Sequence, residues 1–321
     1  MSHYTHRIVL TGASGTLGGN FAQLAAQQTN LHVLALLREQ SRAPVPGPHL
    51  DCVRVDFEDK AAVQKIIQDY APTCLVHCAA TGMDFPKPVW FDLIRFNVDA
   101  TINLCEAAAR LSGCKLIFIS TGLVYGWQQR PLSEEDPLDT LHPYGASKAA
   151  ADMLVRAAAA EFGVPLTILR PFSFTGPGDD RNRLFPSLLR AAAAGQPALL
   201  SAGDQLRDHC SARDIAAGIL AAILSPSDSS AARIFNLGSG SSTPLREVIL
   251  QVVEELDLKL ALNFGARDYG RHEPRHFVAN IERARRELGW TPRHNLAHAV
   301  WQLAQTSFPE LKVREPSASI S

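Results

Sequence analysis

The sequence predicts a doubly wound α/β fold, a parallel sheet with helices on both faces, joined to a smaller α+β unit. Three observations carry this expectation. Strand and helix patterns alternate through most of the first half of the 321-residue chain, which calls for right-handed crossovers and a parallel sheet. The strand segments are near-continuous apolar runs, as suits strands covered on both faces. A glycine-rich turn joins the first strand to the first helix.

In chain order, residues 7–11 read as a strand, followed by a helix to about 28, strands at 31–37 and 52–55, and a helix at 59–70. Apolar runs at 73–79 and 115–120 read as strands on either side of a helix at 97–111. An alanine-rich helix at 144–162 leads into a strand at 165–170. Beyond Pro171 the pattern loosens. Gly, Pro and Asp cluster at 176–180, helices recur at 184–194 and 212–224, a polar loop occupies 226–230, and 234–237 reads as a strand returning to the first sheet. The expected division is a nucleotide-binding domain at 1–170 with a returning segment near 207–240, a substrate domain at 171–312, and a frayed tail from 313.

Bulk properties exclude several classes of function. A net charge of −1 gives no reason to invoke nucleic acid or an anionic membrane surface. No apolar run approaches the roughly 18 residues of a membrane span. The first seven residues are short and polar and run straight into a strand, unlike a signal peptide. Cys52, Cys74, Cys78, Cys105, Cys114 and Cys210 include no CxxC pair and read as small core residues in a reducing cytoplasm, with no metal site expected. Only Cys210 has neighbours that look functional.

The segment Thr11-Gly12-Ala13-Ser14-Gly15-Thr16-Leu17-Gly18 places three glycines between strand and helix. That spacing serves a tight turn, close backbone approach to a pyrophosphate, and close helix–strand packing. The helix N-terminus then offers N–H groups and partial positive charge to the phosphates. A dinucleotide site for NAD usually carries an acid at the end of the second strand. Here that strand ends on Arg38, with Arg42 close by, which suits a 2′-phosphate and favours NADP over NAD; Glu39 follows immediately.

Tyr144 and Lys148 lie four residues apart after Pro143, a residue suited to a helix's first turn. The spacing puts both side chains on one helical face. Tyrosine, with a reference pKa near ~10, is a poor base at neutral pH. An ammonium about 4 Å away at an effective dielectric near 20 supplies about 4 kcal/mol, or roughly three pKa units. This brings the phenol toward the pH where an acid–base catalyst works best. Ser120 and Thr121 end the preceding strand, where hydroxyls point into the ligand cleft of a parallel sheet.

Strand-end hydroxyl, Tyr-x-x-x-Lys and TGxxGxxG, in this sequence, together resemble the extended short-chain dehydrogenase/reductase family, specifically its nucleotide-sugar epimerase/dehydratase branch, from about residue 7 to 292. The resemblance implies a Rossmann fold. It assigns Thr121 as the catalytic hydroxyl, Tyr144 as the acid–base, and Lys148 as a further ligand of the nicotinamide ribose. Asp56-Phe57 resembles the pair that receives the adenine, and Ala79-Ala80 ends a strand that approaches the cofactor. Asn97 matches the family's helix-embedded asparagine. Pro171-Phe172-Ser173 looks like the segment that flanks nicotinamide and substrate phosphate, and Ser173 stands where many members have asparagine. Gln205-x-Arg207-Asp208 resembles the substrate-domain motif whose arginine meets the nucleotide. Arg271 and Arg267 lie where a diphosphate-binding arginine is expected, and Thr81 falls on the substrate side. Leu288-Gly289-Trp290-Thr291-Pro292 resembles the branch's C-terminal signature.

The implied activity is hydride transfer at a nucleotide-sugar carbon, typically C4, as an epimerase; the runner-up is an NADPH-dependent 4-keto-sugar reductase. Dehydratases of the branch carry Asp-Glu after the strand-end threonine. Here Gly122 and Leu123 occupy those positions, and neither moves a proton. Reduction of a non-nucleotide carbonyl and a non-catalytic nucleotide sensor are the remaining alternatives. The family also implies a homodimer through helices 97–111 and 144–162.

Overall fold

The computed structural model describes residues 4–82, 89–179, 182–226, 231–270 and 273–319. Arg271, Asp180 and residues 227–230 therefore lie outside the described residues. The chain forms β1 (His6–Thr11), α1 (Thr16–Ala25), β2 (Leu31–Leu37), β3 (Leu50–Arg54), α2 (Lys60–Tyr70) and β4 (Cys74–His77). There follow α3 (Trp90–Leu93), a π-helical segment (Ile94–Asp99), α4 (Ala100–Ala109), β5 (Lys115–Ile119), α5 (Pro143–Phe162) and β6 (Leu166–Pro171).

Beyond β6 come β7 (Ser173–Thr175), α6 (Leu184–Ala193), β8 (Ala198–Leu200), β9 (Leu206–Arg207), β10 (His209–Ser211), α7 (Ala212–Leu224) and β11 (Arg233–Leu237). The chain closes with β12 (Thr243–Pro244), α8 (Leu245–Glu255), β13 (Leu262–Phe264), β14 (His276–Phe277), α9 (Glu282–Leu288) and α10 (Leu296–Ser307). Among the described residues no helix is long and apolar enough to cross a membrane.

Seven strands form one parallel sheet in the order β11-β6-β5-β4-β1-β2-β3, a Rossmann arrangement. The returning strand is β11, which pairs with β6 from Arg233↔Thr167 to Leu237↔Pro171. Alternate residues of each strand face opposite layers. Ile8 and Leu10 join Phe21 and Ile219 on one side. Val9 joins Leu75, Ile67 and Val155 on the other. A third core gathers Phe185, Leu189, Val252 and Leu303 among α6, α8 and α10. The strand order reverses between β1 and β4, where connections leave in opposite directions and open a crevice at the carboxyl ends.

One helix differs from expectation. The element expected at 97–111 begins at Trp90 and passes through the π-helical segment before α4. Its first turn leaves Trp90, Phe91 and Ile94 exposed, and the π segment shifts the side-chain phase. The part that precedes α4 therefore lacks the one-sided pattern that marks a helix in sequence, whereas α4 buries Thr101, Leu104, Cys105 and Ala108 on one face.

A buried polar network fixes α5 on the sheet. Arg170 on β6 donates from Nε and Nη2 to Asp152 Oδ2 at 3.0 and 2.9 Å, with both side chains at most 1% exposed. Arg170 Nη1 also donates to the Tyr125 hydroxyl at 2.8 Å, and Tyr125 donates to Asn236 Oδ1 on β11 at 2.7 Å. Helix, sheet and the turn after β5 are thus tied together around one guanidinium.

Candidate active site

The glycine turn leaves β1 at Gly12, whose φ of +75° favours glycine. A Cβ there would lie 2.5 Å from the Ala79 nitrogen, so the turn can press directly on the chain leaving β4. A Cβ on Gly18 would strike the Gly12 carbonyl oxygen. Gly15 is different, because a Cβ there would meet nothing of the protein nearer than 3.5 Å. Gly15 is also the N-cap of α1 and supplies no side-chain cap, so the first helical N–H groups open on the crevice. Thr16 Oγ1 donates to Gly178 O at 2.9 Å, holding the loop after β7 against this helix end.

The ends of β1 and β4 are locked by His77. Its Nδ1 lies 2.7 Å from Thr11 Oγ1 and its Nε2 lies 3.1 Å from Thr101 Oγ1. Burial, with the Lys148 ammonium nearby, pushes His77 down to about 3, so the ring is a neutral strut. Asn97 is buried in the π-helical segment. It accepts from Thr81 N at 2.8 Å and donates to Thr81 O and Ser147 Oγ at 3.0 and 2.8 Å. Asn97 thus clips the chain after β4 to α5 and does not line the crevice.

Two cavities flank the glycine turn. One of about 240 Å³ is lined by Gly12, Ser14, Gly15, Arg38, Ser41 and Phe57, with Ala79, Ala80 and Thr81 closing it. Asp56, expected beside Phe57, is exposed and accepts from Glu58 N at 2.9 Å; it does not line this cavity. The other cavity, of about 380 Å³, is lined by Gly15, Thr16, Leu17, Gly18 and Thr81 on one wall. Thr121, Tyr144, Pro171, Phe172 and Ser173 form its far wall.

Thr121 caps the short turn Gly122–Val124, its Oγ1 accepting from Leu123 N at 3.2 Å. Thr121 itself lines the cavity. A Cβ on Gly122 would come within 2.8 Å of the Phe172 ring, and Leu123 lines the cavity. The place of a dehydratase's carboxylates is therefore apolar wall. Ser120, which reads in sequence as a mere strand cap, also lines the cavity; its Oγ is buried without a hydrogen-bond partner.

Tyr144 stands in the first turn of α5, where Pro143 occupies the start and the His142 ring accepts from Gly145 N at 3.4 Å. The His142 and Tyr144 rings meet edge to face at 6.4 Å. Lys148 follows one turn later and is 0% exposed. Its Nζ lies 4.1 Å from the Phe118 ring centroid and has no hydrogen-bond partner. Burial pushes Lys148 down to about 7, against the opposing influence of Cys78 and Asp152.

A third and larger cavity of about 550 Å³ adjoins the second, the two sharing Ser173, Phe174 and Arg183. Arg207 and Arg267 line it. Arg207 is nearly buried, donating to Glu273 Oε1 at 2.8 Å and to Pro274 O at 2.7 Å. Arg183 was not expected from sequence. It bonds Asp179 Oδ1 at 3.0 Å and reaches both cavities. Cys210 is buried and its thiol is pushed well above the usual range by burial and by Asp214 and Asp208; it lies on none of these walls.

The profile of the NAD dependent epimerase/dehydratase family matches residues 8–238. The chain is 28% identical to UDP-glucose 4-epimerase 1 of Oryza sativa subsp. japonica, an alignment that covers 90% of this chain and 91% of the rice protein. It is 27% identical to the UDP-glucose 4-epimerase of Corynebacterium glutamicum, with 90% and 91% covered. Among solved structures it resembles MoeE5 in complex with UDP-glucuronic acid and NAD, with TM-score 0.83, 25% identity, and 95% of this chain and 100% of that chain covered. Its fold also matches the UDP-glucose-4-epimerase of Stenotrophomonas maltophila, with TM-score 0.85, 22% identity, and 94% and 97% covered. On its sequence and its fold, this chain belongs to the NAD dependent epimerase/dehydratase family.

Proposed function

We propose that the protein is an NAD(P)-dependent epimerase of nucleotide-diphosphate sugars, acting at the C4 position of the sugar. One observation carries the reading. Tyr144 and Thr121 share the wall of the 380 Å³ cavity, and one turn behind Tyr144 the Lys148 Nζ is buried without a partner.

The residues fit a dinucleotide. Gly15 has room for a side chain as far as the protein is concerned, so its lack of one suits close approach of a pyrophosphate to the backbone. The uncapped N-terminus of α1 suits the same group. The lone Lys148 ammonium suits the hydroxyls of a nicotinamide ribose, since buried donors rarely go unpaired. Arg38 and Ser41 line the 240 Å³ cavity, and no carboxylate lines it among the described residues. That supports NADP over NAD, although MoeE5 was solved with NAD.

When bound, the nicotinamide supplies an acceptor and donor of hydride for the sugar's C4. Thr121 donates its O–H to the C4 oxygen and fixes it beside Tyr144. Tyr144 takes the hydroxyl proton as the carbon is oxidised, and Lys148 lowers the cost of the phenolate. The larger cavity holds the nucleotide while the sugar turns its other face, and Tyr144 returns the proton. Gly122 and Leu123 offer no acid or base for loss of water, which disfavours a dehydratase.

Arg38 also supports a second reading, a 4-keto-sugar reductase that uses NADPH once per turnover. Mass spectrometry of the purified protein separates the two. Tightly retained cofactor supports the epimerase, and freely exchanging NADP supports the reductase. Residues 1–170 with the returning segment serve as the cofactor unit, and 171–312 as the substrate unit. The exposed Met153 and Leu154 on α5, with Trp90 and Phe91 on the neighbouring helix, support a homodimer through these helices. Six unpaired cysteines suit a cytoplasmic site.

A further inference from the structure

The two larger cavities meet at Ser173, Phe174 and Arg183. A nucleotide sugar carries its diphosphate between nucleoside and sugar. With the reacting carbon at Tyr144 and the nucleoside in the 550 Å³ cavity, the diphosphate spans that junction. β7 and β10 pair in parallel there, and the residue in register beside Ser173 is His209.

His209 lines the larger cavity, and its Nδ1 is buried with no hydrogen-bond partner. The ring is held edge-on by Phe185, with centroids 5.5 Å apart and planes at 84°. Such a nitrogen in a packed site normally has a partner. The charges around it indicate which kind. Burial, then Arg207 and Arg183, hold His209 down at about 3, so the imidazole is neutral and carries one N–H. A neutral donor flanked by two guanidinium groups complements an anion, and it adds a directed hydrogen bond where the arginines supply charge.

We infer that His209 is a substrate-binding residue whose Nδ1–H donates to the diphosphate of the nucleotide sugar at the junction of the two cavities. The inference rests on the nucleotide-sugar reading above and adds a residue and an atom to it. Ser173 and Arg183 line the same passage, so the three residues bracket the diphosphate from adjoining elements.

The test is calorimetric titration of the full chain with UDP, CDP, GDP and dTDP, and with the nucleoside of the tightest one, on wild type, His209→Phe and His209→Asn. Asn sets an amide where Nδ1 stands, whereas Phe keeps only the ring. His209→Phe is expected to weaken the diphosphate by about tenfold or more and the nucleoside by far less. His209→Asn should restore most of that loss, and in turnover the loss should fall mainly in KM rather than kcat. NADP(H) affinity, read in each variant, reports that the fold is intact. Equal diphosphate affinity in wild type and His209→Phe overturns the inference. So does an equal loss for nucleoside and diphosphate, or His209→Asn binding as weakly as His209→Phe. If none of the four diphosphates binds wild type, the nucleotide-sugar reading itself falls.

Discussion

The Lys148 ammonium lies 4.1 Å from the centroid of the Phe118 ring, and it meets no hydrogen-bond partner. On the proposed mechanism, this unpaired buried cation is stability given up for function. Removing an unsatisfied buried donor relieves roughly 1–3 kcal/mol, more when it is charged. Lys148→Met should therefore raise the stability of the cofactor-free protein by at least ~1 kcal/mol in urea unfolding at pH 7, while abolishing turnover. The sign of the pH dependence follows from burial, which lowers Lys148 from 10.5 to about 7. Between those values the unfolded chain binds the proton and the folded chain does not, so wild-type stability rises with pH. The advantage of Lys148→Met should be full at and below pH 7 and shrink toward pH 10. An advantage independent of pH would contradict this.

Arg38 lines the 240 Å³ cavity, and the proposed preference for NADP rests on it. Arg38→Asp should move the NADP/NAD affinity ratio toward NAD by about tenfold or more, the worth of one charge-assisted hydrogen bond. Titration with both cofactors reads this directly. An unchanged ratio would show that Arg38 selects neither.

Asp152 and Arg170 form a fully buried pair, and removing one partner strands the other. Asp152→Asn should cost roughly 3–5 kcal/mol in urea unfolding. The double variant Asp152→Leu/Arg170→Met removes both charges and should recover a large part of that loss. A double variant as unstable as the single one would mean that the bond from Arg170 to Tyr125, lost with the arginine, matters as much as the pair.

Met153 and Leu154 leave an apolar stripe on the exposed face of α5. Light scattering after gel filtration should give twice the 34.9 kDa chain mass. Leu154→Glu should halve it, since a charge in a packed apolar interface costs several kcal/mol. A wild-type monomer would contradict the dimer.

Much of this was legible in the sequence because apolar runs of strand length, a three-glycine turn and a Tyr-x-x-x-Lys spacing each have a local physical cause. Gly12, Gly15, Thr121 and Tyr144 come to one crevice because they stand at the ends of β1 and β5 and the start of α5, positions that the parallel topology brings together. Less was legible where contacts depend on the register of distant, short elements. Arg183 follows an irregular Gly-Pro-Asp stretch, and His209 acquires its place only through pairing with β7. Asn97 has the expected position, but its amide is engaged by Thr81 and Ser147, which no spacing foretells. The turn at Trp90 was hidden by its exposed apolar residues and the π-helical shift in phase.

The central claim is that Tyr144 moves the proton of a nucleotide sugar's C4 hydroxyl out and back. Proton NMR of UDP-glucose and UDP-glucuronic acid, each incubated with the protein and NAD(P), tests it most directly. Wild type should convert at least one of them to its C4 epimer with no net change in absorbance at the wavelength of the reduced cofactor, and Tyr144→Phe should lose at least ~100-fold in rate while still binding cofactor. Epimerisation by Tyr144→Phe at the wild-type rate, or stoichiometric consumption of reduced cofactor without any epimer, would contradict it.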